Sequence, residues 1–67
     1  MEAFKTIREK LNWTCYRMAK ELGVSQTQYN YLERTAKTAQ THVLIKLKNL
    51  SGLSAEQFWK ILEKEHD

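Results

Sequence analysis

Two helix starts and one helix stop crowd into the segment from Thr14 to Ser25, and this punctuation limits what the chain can fold into. Thr14 is a good N-cap, because its side-chain oxygen can accept a hydrogen bond from a first-turn amide that has no partner inside the helix. Trp13 just before the cap and Met18 four positions into the helix are placed as a hydrophobic staple. Gly23 stops that helix after Leu22, since a residue without a Cβ enters the left-handed conformation freely. Ser25-Gln26-Thr27-Gln28 fits a capping box, with Val24 and Tyr29 as its staple, and opens a second helix to about Arg34. Only Gly23-Val24-Ser25 is left to reverse the chain.

A helix, a three-residue turn and a second helix form a helix-turn-helix unit. Counted from Cys15 as the first position, Met18 is fourth, Ala19 fifth, Leu22 eighth, Gly23 ninth, Val24 tenth, Tyr29 fifteenth and Leu32 eighteenth. Ala19 falls where the two helices cross most closely and a larger side chain would force them apart. Met18, Leu22, Val24, Tyr29 and Leu32 supply the wedge of core between them.

Three further helices are predicted around this unit. Phe4, Ile7 and Leu11 recur at three- and four-residue steps, which predicts a helix from about Ala3 to Leu11 with a soft end at Asn12. Residues 35 to 40 lack large apolar groups and read as a connection, with Thr38 or Thr41 capping a fourth helix. Its buried stripe is Val43, Leu44, Leu47 and Leu50, Ile45 points the other way, and it ends near Ser51-Gly52. Ser54-Ala55-Glu56-Gln57 is a second capping box, stapled by Leu53 and Phe58, that opens a last helix to about Glu65. The expectation is an all-α, five-helix single domain over residues 1–67.

Composition narrows the function. A chain of 67 residues buries only about 60% of its unfolded surface, and this one has no staple: Cys15 is its single cysteine, and no Cys or His pair has zinc-ligand spacing. His42 and His66 are too isolated to hold a metal, so stability is expected from apolar packing in a reducing, cytoplasmic setting. Apolar runs of three residues or fewer exclude a membrane span, and Glu2, Lys5, Arg8, Glu9 and Lys10 occupy the stretch where a signal peptide needs an apolar core. The net charge of +3 is uneven. Residues 1–55 hold nine Lys/Arg against four Glu, a balance of +5, while residues 56–67 hold two Lys against four acids, a balance of −2. A polyanion would dock on the base-rich part. No nucleophile stands with a base, no carboxylates are paired in a plausible pocket and no glycine loop could cradle a phosphate, so no enzyme, cofactor or small-molecule substrate is expected.

On these residues the chain resembles the Cro and repressor type of helix-turn-helix proteins, the XRE family, over nearly its whole length. The family's helix-1 arginine, polar cap, unit core, Gly-Val-Ser turn and late glutamate correspond to Arg8, Thr14, Cys15, Met18, Ala19, Gly23, Val24, Ser25 and Glu33. Leu44-Ile45-Lys46-Leu47 and Leu53-Ser54 are similar to the family's fourth helix and the turn into its fifth. The resemblance implies a lambda-repressor-like fold, double-stranded DNA as partner and an ion pair between Arg8 and Glu33. There are departures: Cys15 stands where the family usually has a phosphate-touching glutamine, Thr35 where it has glycine, and Tyr29 is bulkier than the usual Ile or Val.

With Tyr29, Leu32 and Glu33 turned inward, Gln26, Thr27, Asn30, Tyr31 and Arg34 fall on the outer side of the second unit helix. In a major groove, Gln and Asn can pair twice with adenine, while a Thr methyl or a Tyr ring can touch the thymine methyl. Gln26, Thr27, Asn30 and Tyr31 are the expected base readers. Arg34, Lys37, Thr38 and Thr41, past or at the helix end, are expected to hold phosphates, as are Thr14, Cys15 and Ser25 at helix starts and Arg17. Cys15 reads as a small residue tolerated at its site rather than a redox switch. Tyr16 lies either along the sugar-phosphate chain or over helix 1.

In the last helix, Ala55, Phe58, Trp59, Ile61 and Leu62 span about 160° at about 100° per residue, wider than the usual core-facing stripe. Either Trp59 folds back over the core, or Trp59 or Ile61, with Ile45, forms a two-fold dimer contact; the dimer contact is the preferred reading. The expected function is a sequence-specific, nucleoid-associated repressor that binds a palindromic operator as a homodimer. The alternative is a protein-interaction module, such as the antitoxin or anti-repressor of a two-protein pair.

Overall fold

The helix ends show how local sequence builds this chain, seen here as a computed structural model that describes residues 1–35 and 39–64. Its elements are α1 (Glu2–Lys10), α2 (Cys15–Leu22), α3 (Gln26–Arg34), α4 (Thr41–Ser51) and α5 (Ala55–Glu63). No strand occurs among the described residues. The soft end expected for α1 is a defined turn. Asn12 takes φ 58°, its amide donates to the Glu9 carbonyl at 3.0 Å and the Trp13 amide to the Arg8 carbonyl at 3.1 Å. Gly23, at φ 75°, closes α2 the same way, with its amide on Lys20 at 3.2 Å and that of Val24 on Ala19 at 3.0 Å. Asparagine is one of the few residues with a Cβ that visits this conformation readily, which is why the first closure works without glycine.

Thr14, Ser25 and Ser54 cap α2, α3 and α5 by accepting from the amides of Arg17 at 3.1 Å, Gln28 at 3.0 Å and Gln57 at 3.2 Å. The start of α4 corrects the expectation that Thr38 or Thr41 caps it. Gln40 is the N-cap and makes no side-chain cap bond, while Thr41 is already helical. The neighbouring Ala39 is buried against the core, next to this boundary. Thr38 lies outside the described residues.

Phe4, Ile7, Met18, Leu22, Tyr29 and Leu47 form the fully buried centre. The rings of Phe4 and Tyr29 meet edge to face, with centroids 6.1 Å apart and planes at 81°. Ala19, 3% exposed, sits in the packing of α2 on α3, and α1 lies against α3 and α4. The apolar stripe of α4 is narrower than expected. In α4 the buried residues are Val43, Leu47 and Ser51, at strict four-residue steps, and Leu44 and Leu50 pack only at the margin. Ser51 is accommodated because its hydroxyl donates to the Lys48 carbonyl at 2.6 Å and accepts from the Leu53 amide at 3.1 Å. In α5, Phe58 and Leu62 are buried, Ile61 packs at the margin and Ala55 is exposed.

Candidate nucleic-acid interface

The inner side of α3 is bolted to α1 through one carboxylate. Arg8 Nε lies 2.6 Å from Glu33 Oε2, with the two side chains 18% and 14% exposed, and the Tyr29 hydroxyl donates to the same oxygen at 2.5 Å. That hydroxyl also lies 3.3 Å from the Phe4 carbonyl oxygen. Arg8 spends a second donor, Nη1, on the Trp13 carbonyl at 3.2 Å, which ties the corner between α1 and α2 into the same network. The Met1 amino group donates to the carbonyls of Leu32 and Thr35 at the end of α3.

The electrostatics follow from this geometry. Burial raises the Glu33 carboxyl, but the hydrogen bonds from Arg8 and Tyr29 and the charges of Arg8 and Lys5 outweigh it and hold the group below its ordinary value of 4.5. The bond to Glu33 keeps Arg8 charged above its ordinary range, against the opposing effect of burial. Burial, and then the bond to Glu33, push the Tyr29 hydroxyl well above its ordinary value of 10.0.

The outer side of α3 is free by comparison. Gln26, Thr27, Asn30, Tyr31 and Arg34 are all exposed, as is Gln28, which the sequence reading left out. Among the described residues, Arg34 makes only a long 3.4 Å contact from Nε to the Asn30 carbonyl. At the start of α2, Cys15 is half-buried and packed on the core. Tyr16 is 66% exposed, which decides against its covering α1. Thr14 and Ser25 use their oxygens as caps and keep their O–H groups to donate. Arg17 lies over the Trp13 ring, its guanidinium carbon 4.6 Å from the centroid, and its Nε is 3.4 Å from Glu21 Oε2. Lys37 and Thr38 lie outside the described residues.

Sequence reasoning missed the Tyr29 bond to Glu33 and the stacking of Arg17 on Trp13. Tyr29 and Glu33 are four residues apart on α3, a spacing that brings side chains together on a helix and was the available signal; Trp13 precedes α2, so no helical spacing pointed to its contact with Arg17. Of the residues assigned to a dimer contact, Ile45 and Trp59 are exposed, Trp59 at 62%, whereas Ile61 shares in the core margin.

The sequence model described as helix-turn-helix matches residues 4–58, which run from the core of α1 into α5 and include the whole α2 and α3 unit. The chain belongs to the helix-turn-helix family, of the Cro and repressor, or XRE, type. The five helices among the described residues are those of the all-α, lambda-repressor-like fold. The family is a non-enzymatic, DNA-binding one, so this helix-turn-helix protein is a DNA-binding transcriptional regulator with DNA as its partner. No curated protein and no solved structure matches the chain. No helix among the described residues is long and apolar enough to cross a membrane.

Proposed function

We propose that this helix-turn-helix protein is a sequence-specific, nucleoid-associated repressor that binds a roughly palindromic operator as a homodimer. The observation that carries the reading is the two-sidedness of α3: its inner face is held by Arg8, Tyr29 and Glu33, while Gln26, Thr27, Asn30 and Tyr31 stand exposed along the other. A rigidly held helix with a polar outer face suits the major groove, where such side chains read base edges near the helix N-terminus. Arg34, Lys37, Thr38 and Arg17, with the helix starts at Thr14, Cys15 and Ser25, supply phosphate contacts that set register. The exposed Trp59 and Ile45, with Ile61 two residues after Trp59, form the dimer contact, and repression follows from occupying a promoter.

Selection of bound sequences from random duplex DNA, with protein mass measured free and bound, tests this. The expected result is a two-fold repeat with half-sites about 10 base pairs apart, bound by two copies of the chain. Alanine at Gln26, Thr27 or Asn30 should weaken binding to the selected duplex far more than to mixed-sequence DNA. Equal losses on both, or no enriched sequence, would favour the protein-interaction reading, an antitoxin or anti-repressor.

A further inference from the structure

We propose that Trp13 is a positioning residue for DNA binding, whose ring holds the Arg17 guanidinium as a preformed phosphate clamp at the start of α2. The inference rests on the DNA-binding reading above and assigns a part of that surface which the sequence pattern does not reveal.

Three observations carry it. The first is the state of Arg17 itself: its guanidinium carbon lies 4.6 Å above the Trp13 ring, and its side chain is 56% exposed. Contact with the ring face restricts where the guanidinium can sit, while the exposed part of the side chain leaves donors able to reach phosphate oxygens. The second is the use of its donors. Only Nε is engaged, in a 3.4 Å contact with Glu21, and among the described residues neither terminal Nη group has a hydrogen-bond acceptor. The third is the way the platform is anchored. The Trp13 amide donates to the Arg8 carbonyl at 3.1 Å, its carbonyl accepts from Arg8 Nη1 at 3.2 Å, and Arg8 is bonded to Glu33 on α3 at 2.6 Å. The clamp is therefore referenced to the reading helix through Glu33, Arg8 and Trp13 in turn.

Position along the chain gives the ligand. In helix-turn-helix docking the first helix of the unit crosses the DNA backbone while the second enters the groove. Arg17 lies in the first turn of α2, where the backbone amides also favour an anion. Glu21 is then an opponent of binding, because its carboxylate sits beside the guanidinium and would face the incoming phosphate.

The test is a double-mutant cycle on duplex DNA of mixed sequence, with affinity followed against salt for the full chain, R17A, W13M, R17A with W13M, and W13F. R17A should lower the log-log salt slope by about 0.9, one phosphate contact. W13M keeps apolar bulk without the ring face, and should weaken binding about two- to fivefold, the size of an exposed cation–π interaction. The same change should cost nothing further when Arg17 is already alanine, and W13F should restore most of the loss. E21Q should tighten binding. An unchanged slope in R17A, or a W13M loss that persists in full without Arg17, would overturn the clamp while leaving the DNA-binding reading intact. Failure of the unaltered chain to bind duplex at low salt would overturn that reading itself. Thermal unfolding of each variant separates loss of fold from loss of clamp: if W13M unfolds, W13L, which also keeps apolar bulk without a ring, replaces it in both Arg17 backgrounds and completes the cycle.

Discussion

Helices α3 and α5 begin with the same chemistry and end up held in different ways. Each opens on Ser-x-x-Gln after an apolar residue, and in each the serine oxygen accepts the amide three positions on. In α5 the glutamine returns the bond, with Gln57 Oε1 accepting from the Ser54 amide at 3.2 Å, and the capping box is complete. In α3 the box is half-formed, and Gln28 makes no return bond among the described residues. The helix that lacks the local closure is the one tied down from its middle, by Tyr29 and Glu33 on α1. The helix with the complete box carries the exposed Trp59 and is buried only through Phe58 and Leu62. Both helices thus carry a serine cap and bury two residues, but α3 adds a side-chain network to α1 where α5 adds the returned glutamine bond. Securing α3 from its inner face leaves its first turn and outer side open, which is what a reading helix requires.

Breaking the tertiary anchor should have the largest effect. E33Q leaves Arg8 without a charged partner in a mostly buried place and should cost about 2 kcal/mol of stability, measurable by denaturant unfolding. The loss should depend on pH. A carboxyl held below 4.5 in the folded state contributes stability that is present above 4.5 and disappears as pH falls through its lowered value. The gap between the unaltered chain and E33Q should therefore narrow on acidification below 4.5, and a gap that stayed constant would refute the assignment to the charged pair.

Next in size is Y29F, which removes the hydroxyl donor to Glu33 while keeping the ring against Phe4, and should cost about 1 kcal/mol. The Tyr29 hydroxyl is raised above 10.0, so its contribution is present below pH 10.0 and is lost as pH rises toward the folded value. Y29F should accordingly lose less stability than the unaltered chain at strongly alkaline pH.

The serine caps come third. S25A and S54A should each cost about 1 kcal/mol, because each removes one acceptor for a first-turn amide. The sharpest comparison is the smallest. Q57A deletes a bond that is made and should cost about 0.5 kcal/mol, whereas Q28A should leave stability unchanged to within about 0.2 kcal/mol. Equal costs for the two would mean that the boxes behave alike in solution and that the contrast between the helices is not energetic.

Much of the fold was legible in order along the chain. Thr14, Gly23, Ser25 and Ser54 act where they were expected, and Met18, Ala19, Leu22, Tyr29 and Leu32 are buried. Caps and glycine closures are settled within a turn of backbone, so the residues that make them are neighbours in sequence. The approach of Arg8 to Glu33 was legible only through family resemblance, since the two are far apart in the chain. The start of α4 was misread for the opposite reason: Thr38 and Thr41 look like caps locally, but the boundary falls at Gln40, beside the buried Ala39 and without a side-chain cap bond. The width of the α4 stripe failed similarly, because Leu44 and Leu50 are as apolar as Leu47 and only the positions of the neighbouring helices put them at the margin.

The sequence by itself determined the five helices, the turn at Gly23 and the side of α3 that must face inward. These follow from hydrogen bonds and apolar spacing that act within about four residues. Tertiary structure decided which groups share Glu33, that Arg17 rests on Trp13, and that Gln57 folds back while Gln28 stays open. Identical local patterns offer the same side-chain bonds, and which of them form depends on what packs from elsewhere in the chain.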